Sequence, residues 1–173
     1  TCCCLGYVFD IDNFWYFCMA KEIERKFLID HTKLPSLKNS VNLLQGYLSI
    51  NDSGITRIRI HNQTGILTIK SKSTGLSKDE FEYAIPYEDA QRLIELSEGT
   101  IIKKTRTKID YNNKIWEIDE FHDRNKGLWL AEVELSNENE HIEIPPWVTK
   151  EVTHEKLYYN SYLCFNPYDS WSS

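Results

Sequence analysis

The chain has 173 residues, of which 41% are hydrophobic and 27% are charged, and its formal net charge is −6. These values are typical of a globular protein with enough chain for one sizeable core. The negative net charge argues against a non-specific nucleic-acid binder, whose surface is normally basic. The apolar run near the start is too short and too interrupted to span a bilayer. We therefore predict neither a nucleic-acid nor a membrane partner.

Residues 1–18 differ from the rest of the chain, since they hold four of the five cysteines and no Lys or Arg. The adjacent cysteines at 2–4 lack the spacing of a zinc site, and the stretch lacks the basic start of a signal peptide. We interpret 1–18 as an extension and 19–173 as one domain. Cys164 is the only cysteine of that domain, so no disulfide can form within it, which favours a reducing, cytoplasmic location.

Alternation of apolar and polar residues, the period of a strand, dominates from Lys21 onward. It predicts eight strands, at residues 21–29, 43–50, 56–61, 66–72, 80–85, 101–111, 114–121 and 128–135. Asn-Gln-Thr-Gly at 62–65 and Asn-Asn at 112–113 are typical of hairpin turns. An amphipathic helix is predicted at 87–98, opened by Pro86 and closed by Gly99, and a second helix at about 154–164. These elements predict a mainly β (α+β) barrel or sandwich with a few outer helices and a C-terminal helix.

Like-signed charges recur two residues apart on most of these strands, which places both members of a pair on one face of the strand. The pairs are Glu22/Glu24 (followed by Lys26), Arg57/Arg59, Lys70/Lys72, Glu80/Glu82, Lys104/Arg106, Glu117/Asp119 and Glu132/Glu134. One explanation is that these faces are exposed to solvent. Like charges on one face repel, however, so repeated use of the pattern makes a poor surface. We favour the alternative that the charged faces converge inside a wide barrel.

Charges buried in this way must be paired or must coordinate a metal ion. A polyanion and a divalent metal together would balance such an interior. The cations would neutralise phosphate groups, and the carboxylates would supply the hard oxygen ligands that Mg²⁺ or Mn²⁺ prefers. The residues therefore predict a metal-dependent site for a phosphate-rich ligand.

The motifs along the chain resemble those of one known family. The string E-I-E-R-K-F at 22–27 is similar to the E-x-E-x-K opening of the CYTH family, the triphosphate tunnel metalloenzymes. It is followed, in family order, by Q-G-Y-L at 45–48, R-I-R at 57–59, T-I-K-S-K at 68–72, E-F-E-Y at 80–83, K-K-T-R at 103–106, W-E-I-D-E-F at 116–121, A-E-V-E-L at 131–135 and P-P-W-V at 145–148. The resemblance covers most of the chain from Met19 onward and is strongest to short bacterial members that hydrolyse inorganic tripolyphosphate or nucleoside triphosphates.

The resemblance implies an eight-stranded antiparallel tunnel that holds a divalent metal, Mg²⁺ or Mn²⁺, and hydrolyses the terminal phosphate of a small-molecule triphosphate. Carried over by position, the metal-binding acids are Glu22, Glu24, Asp119, Glu132 and Glu134. The phosphate-binding cations are Lys26, Arg57, Arg59, Lys70, Lys72, Lys104 and Arg106. Lys26 and Lys104 are both candidates for the catalytic residue that assists the leaving oxygen.

Two other functions remain open at this point. An adenylate cyclase of the same family would use the same metal to release pyrophosphate from ATP. A non-catalytic binder of polyphosphate or nucleotide would keep the cations but would not need the Glu pairs. The sequence leaves the physiological substrate, the preferred metal and a homodimeric state undecided.

Overall fold

The computed structural model describes residues 20–72 and 77–171, so the predicted extension 1–18 lies outside the described residues. Within the described part, nine strands form one antiparallel sheet. The strands are β1 (Ala20–Ile29), β2 (Val41–Asn51), β3 (Gly54–His61), β4 (Thr64–Ser71), β5 (Ser77–Ile85), β6 (Glu98–Tyr111), β7 (Lys114–Phe121), β8 (Trp129–Glu134) and β9 (Val148–Glu151). The two α-helices are α1 (Tyr87–Ile94) and α2 (Asn160–Leu163), and 3-10 turns cover His31–Lys33, Asp123–Asn125, Lys156–Tyr158 and Tyr168–Ser170. The prediction of a mainly β, antiparallel domain with few helices is confirmed.

The strand order across the sheet is β5-β4-β3-β2-β6-β7-β8-β1-β9, and β5 pairs in addition with β1. The extra pairing runs from Ala20 opposite Glu80 to Ile23 opposite Ser77. Farther along β1, Phe27 has a partner on each side, Ala131 of β8 and Glu151 of β9. β1 therefore lies between β8 on one side and both β5 and β9 on the other.

Both predicted hairpin turns are present. The β3–β4 turn begins at Asn62, with φ 54°, and the β6–β7 turn consists of Asn112 and Asn113, with φ 50° and 61°. Asparagine tolerates this left-handed backbone better than other non-glycine residues, and two successive positive φ angles match the twist of a two-residue hairpin. These turns fix the register of the strands on either side.

Apolar side chains on the alternate strand faces are covered by the segments outside the sheet. Ala90 and Ile94 of α1 pack on Ile58 and Ile60 of β3. The segment before β9 packs on β1 and β7 through Ile142 and Trp147. The α2 region forms a third cluster, in which Leu163 and Cys164 pack with Ile102, Phe121 and Leu130.

The prediction that α1 extends to residue 98 and ends at Gly99 was wrong. The helix ends at Ile94, Glu98 already belongs to β6, and Gly99 lies within β6 with φ 70°. Immediately after the helix the chain contacts β2. Ser97 lies so close to Gly46 that a Cβ added to this glycine would be 2.0 Å from the Ser97 Oγ. This close approach removes the room for another helical turn.

The predicted helix at 154–164 is also much shorter than expected. Lys156–Tyr158 forms a 3-10 turn, Tyr159 is extended with ψ 133°, and only Asn160–Leu163 is α-helical. The Tyr159 hydroxyl donates to the Thr153 carbonyl at 3.0 Å, and Thr153 is itself bonded to β1. These tertiary hydrogen bonds replace the hydrogen bonds that a longer helix would form in this segment. No helix among the described residues is long and apolar enough to cross a membrane.

Gly65→Ala should destabilise the protein because β4 and α1 meet closely at this point. A Cβ on Gly65 would lie 2.4 Å from the Ala90 Cβ and 3.0 Å from the Ile85 Cγ1. Overpacking of this kind costs about 1–3 kcal/mol of unfolding free energy, which urea unfolding would measure. In an Ala90→Gly protein the same substitution should cost clearly less. An equal cost in both proteins would show that the two positions do not clash.

Candidate functional site

The charged strand faces surround a cavity of about 650 Å³. The seven cations predicted to bind phosphate all line it: Lys26, Arg57, Arg59, Lys70, Lys72, Lys104 and Arg106. They come from β1, β3, β6 and the β4 end, strands distant in sequence that the sheet brings together. The expectation that these charged faces converge therefore agrees with the geometry.

The predicted acids are placed less uniformly. Glu24, Glu132 and Glu134 line the cavity. Asp119 is fully buried at the base of the neighbouring cations. Glu22 lies on β1 opposite Lys78, but its side chain is outside the described part of the molecule.

Asp119 is the centre of a buried ion network on β6, β7 and β8. Its carboxylate accepts from the Lys104 Nζ at 2.6 Å and from the Arg106 Nε and Nη2 at 2.7 and 2.6 Å. Arg106 also donates to Glu132 at 2.7 Å and to Glu117. Burial alone would raise the pKa of Asp119, but Arg106 and then Lys104 hold it below its usual range. Both oxygens of Asp119 are thus engaged in orienting two cations.

Lys26 and Lys104 have different electrostatic surroundings. Burial would lower the pKa of Lys26, but attraction to Glu132 and Glu24 raises it above its usual value. The Lys26 Nζ lies 2.9 Å from a Glu132 oxygen. Burial and then repulsion from Arg106 lower the pKa of Lys104 to about 8, against the attraction of Asp119. Lys26 is therefore the more firmly fixed positive charge of the two.

The opposite wall of the cavity is held by β3, β4 and β5. The Arg57 Nη2 lies 3.2 Å from the Glu82 Oε1 and 3.6 Å from the Glu80 Oε1. It also donates to the Thr68 Oγ1 at 3.0 Å. The Lys70 Nζ lies 3.2 Å from Glu80. These contacts orient the first arginine of the R-I-R motif toward the cavity.

Arg59 differs from the other arginines of the wall. No ion pair joins its guanidinium to a carboxylate in the described part of the chain, and its Nε is buried without a hydrogen-bond partner there. Burial, followed by repulsion from Arg57 and Arg106, lowers the pKa of Arg59 to about 10. A guanidinium that is repelled by neighbouring cations and has no paired carboxylate among the described residues should bind an anion readily.

The cavity is positively charged although the chain as a whole carries −6. Nine of its described lining residues are cationic, and six are acidic. Two of the cations, Lys108 and Lys156, were missed as site residues by the sequence analysis. Lys108 continues the face of Lys104 and Arg106, so its spacing could have identified it. Tyr159 and Asn160, from the C-terminal segment, also line the cavity and gave no comparable signal.

The acids of the cavity fit a divalent metal ion in their chemistry. Glu24 and Glu134 are direct cross-strand partners, and like charges in that position destabilise a sheet unless a cation lies near them. Carboxylate oxygens are the ligands that Mg²⁺ and Mn²⁺ prefer. Within residues 20–72 and 77–171, no three His, Cys, Asp or Glu residues already form a complete metal cluster. Such ions often take one or two carboxylates and complete their shell with phosphate oxygens and water.

Comparison with known proteins gives related sequences and a related structure. Residues 20–162 match the model of the CYTH domain. An inorganic triphosphatase of Acetivibrio thermocellus is 41% identical over 154 residues, which is 88% of this chain and 99% of the relative. An inorganic triphosphatase of Nitrosomonas europaea is 35% identical over 153 residues, covering 84% and 97% of the two chains. The crystal structure of an inorganic triphosphatase superposes with a TM-score of 0.62 at 33% identity, covering 84% of this chain and 95% of that one.

Proposed function

Because the chain belongs to the CYTH domain family, we propose that it is an inorganic triphosphatase, a hydrolase that removes the terminal phosphate of tripolyphosphate. The match of residues 20–162 to the CYTH domain confirms the resemblance that the sequence motifs indicated. Triphosphatase activity belongs to the named relatives, and we extend it to this chain because of the cationic cavity. A small-molecule triphosphate is the ligand whose size and charge suit a cationic cavity of about 650 Å³.

The excess of cations in the cavity is the observation that carries this proposal. Arg59 in particular is half-buried, its Nε is fully buried, it is repelled by Arg57 and Arg106, and it lacks a carboxylate ion-pair partner among the described residues. An arrangement of this kind raises the free energy of the empty site and is relieved when an anion with several charges binds. Phosphoryl transfer requires chiefly such charge neutralisation and positioning.

The site supports a tunnel geometry for the sheet. The pairing of β5 with β1 joins the two ends of the eight-strand series, and the charged faces of its strands share one cavity. An eight-stranded antiparallel tunnel would enclose the triphosphate and strengthen each ionic contact by excluding water.

Glu24, Glu132 and Glu134, with Glu22 as a further candidate, would hold the divalent metal ion, Mg²⁺ or Mn²⁺. When bound, the ion would neutralise phosphate charge as a Lewis acid. Asp119 was also predicted as a ligand, but its bonds to Lys104 and Arg106 favour a role in orienting these cations. Arg57, Arg59, Lys70, Lys72 and Arg106 would bind the phosphate chain, and Lys26 and Lys104 would stabilise charge on the leaving oxygen.

Phosphate release from tripolyphosphate should require Mg²⁺ or Mn²⁺, stop with excess chelator, and return when the metal is restored. Glu134→Gln should raise the metal concentration needed for half-maximal activity by about tenfold or more, because one charged ligand is lost. The measurement is a phosphate-release assay over a metal titration, with tripolyphosphate, ATP, thiamine triphosphate and pyrophosphate compared.

Glu138→Gln is a matched control, since this glutamate is exposed in the loop after β8. It should leave the metal titration unchanged. Undiminished release in excess chelator would refute the proposed role of the metal. If the assay with ATP yields cyclic AMP and pyrophosphate, the proposed hydrolysis is wrong and the protein is a cyclase.

A further inference from the structure

The chain segment after β9 is bonded to β1 at Lys26. The Val152 N–H donates to the Lys26 carbonyl at 2.8 Å, and the Lys26 N–H donates to the Thr153 Oγ1 at 3.1 Å. These two residues thus occupy the edge of β1 between its pairings with β5 and β9. Both backbone polar groups of Lys26 are held by residues far away in sequence.

The same segment also reaches the side chain of Lys26. The Lys26 Nζ lies 5.7 Å from the centroid of the Tyr159 ring, and both residues line the cavity. The Tyr159 hydroxyl donates to the Thr153 carbonyl at 3.0 Å. Lys26, Thr153 and Tyr159 therefore form a closed circuit of contacts, in which one anchor orients both the ring and the lysine backbone.

We propose that Tyr159 is a positioning residue, whose ring holds the Lys26 ammonium at the point where it meets the polyphosphate. The inference rests on the proposed function, because it requires that Lys26 contacts a phosphate group. It gives a function to the C-terminal segment, whose Lys156 and Asn160 also line the cavity beside residues of the strands.

A ring suits this task better than a further carboxylate would. Lys26 is already bonded to Glu132, and that glutamate also accepts from Arg106. A second carboxylate would occupy another ammonium N–H group and would weaken the attraction of Lys26 for an anion. The ring face attracts the cation through its quadrupole and requires no N–H donor, so the remaining donors stay available to phosphate.

The hydroxyl of Tyr159 has a separate part in this arrangement. Lysine has a flexible four-carbon stem, and its position is only as definite as the groups around it. The bond from the hydroxyl to Thr153 helps to orient the ring, whereas the attraction for the Lys26 ammonium comes from the ring face itself. Phenylalanine at this position should therefore preserve most of the positioning, whereas an aliphatic residue should not.

The test is a double-mutant cycle on kcat/KM for tripolyphosphate. Tyr159→Leu should lower kcat/KM by roughly three- to thirtyfold, the range expected for loss of a partly desolvated cation–π contact. Tyr159→Phe should stay within about threefold of the parent, a smaller loss than Tyr159→Leu causes. In a Lys26→Met background, Tyr159→Leu should have no further effect, because the ring acts through the lysine. If that background is too slow to assay, the same cycle is measured on the tripolyphosphate Kd by calorimetry with Ca²⁺.

Tyr158→Leu is the control for loss of an aromatic residue from this segment. Its ring packs on Trp171, with centroids 5.4 Å apart, and it does not line the described cavity. It should lower the melting temperature without changing kcat/KM.

The outcomes separate this inference from the proposed function. Equal losses from Tyr159→Leu in the parent and in the Lys26→Met background would overturn the inference alone. A parent that binds tripolyphosphate without hydrolysing it would overturn the proposed function, and the Kd cycle would still decide the inference. A parent that does not bind tripolyphosphate overturns both.

Discussion

Asp119→Ala should lower the free energy of unfolding by about 3–5 kcal/mol, the usual result of removing one partner from a buried ion network. The carboxylate accepts three hydrogen bonds from Lys104 and Arg106, and its side chain is 1% exposed. Without it, Lys104 loses its bonded counter-charge, and Arg106 keeps only Glu117 and Glu132 among the described residues. Chemical denaturation at neutral pH would measure the loss.

The pH dependence of this loss has a definite sign. The pKa of Asp119 is lowered in the folded protein from its ordinary value of 3.8. Its stabilising effect is therefore complete above that ordinary value and is lost as the pH falls through the folded-state pKa. The difference in unfolding free energy between Asp119→Ala and the parent should therefore become smaller at acidic pH.

Asp169→Ala is the matched control, since Arg124 donates two hydrogen bonds to Asp169, but this carboxylate is 48% exposed. Exposed pairs contribute no more than about 1 kcal/mol. An Asp119→Ala protein that loses no more stability than Asp169→Ala would contradict the described network.

Arg59→Met should have opposite effects on activity and on stability. Loss of one donor to the transferring phosphate should reduce kcat/KM by about 10²- to 10³-fold. The protein without ligand should melt at a higher temperature than the parent, because a half-buried cation that Arg57 and Arg106 repel is replaced by an apolar side chain. Tripolyphosphate should then raise the melting temperature less than it does in the parent.

The sign of the stability change follows from the lowered pKa of Arg59. Burial and the repulsion from Arg57 and Arg106 lower that pKa to about 10, so the charged form is disfavoured by folding. This cost is present at every pH below about 10 and is lost only as the pH rises through that value.

Arg92→Met provides the comparison, because Arg92 is exposed on α1 and lies outside the described cavity. It should leave kcat/KM and the response to tripolyphosphate unchanged. An Arg59→Met protein with full activity would show that Arg59 does not bind the substrate. One that melts at a lower temperature than the parent would show that the charge of Arg59 does not destabilise the protein without ligand.

Strand periodicity is a local property, so the sequence could predict which charged residues share one face of a strand. Once Arg57 and Arg59 are assigned to a strand, their spacing requires a common face, and the apolar Ile58 between them requires the opposite face. The seven cations that the family resemblance and this spacing both select all line the cavity. The same spacing could not reveal that Asp119 lies beneath the cations, because depth depends on the neighbouring strands.

The features that the sequence did not predict depend on distant contacts. β9 has four residues without a clear alternation, and it is a strand because it pairs with Phe27, Leu28 and Ile29 of β1. The segment at 154–164 has the composition of a helix, but its bonds to β1 keep Tyr159 extended. Tyr159 could not be assigned to the site for the same reason.

The position of β1 in the sheet has a consequence for the order in which the protein can fold during synthesis. Arg25 of β1 and Glu151 of β9 form an ion pair although they lie 126 positions apart in the sequence. At about 5–20 residues per second, a ribosome needs roughly 6–25 seconds to cover that interval, and β1 lacks its β9 partner throughout. An unpaired strand is a site for aggregation, and charged side chains on it oppose pairing with another chain. Glu24 and Lys26 would therefore protect the nascent chain before they have any ligand to bind.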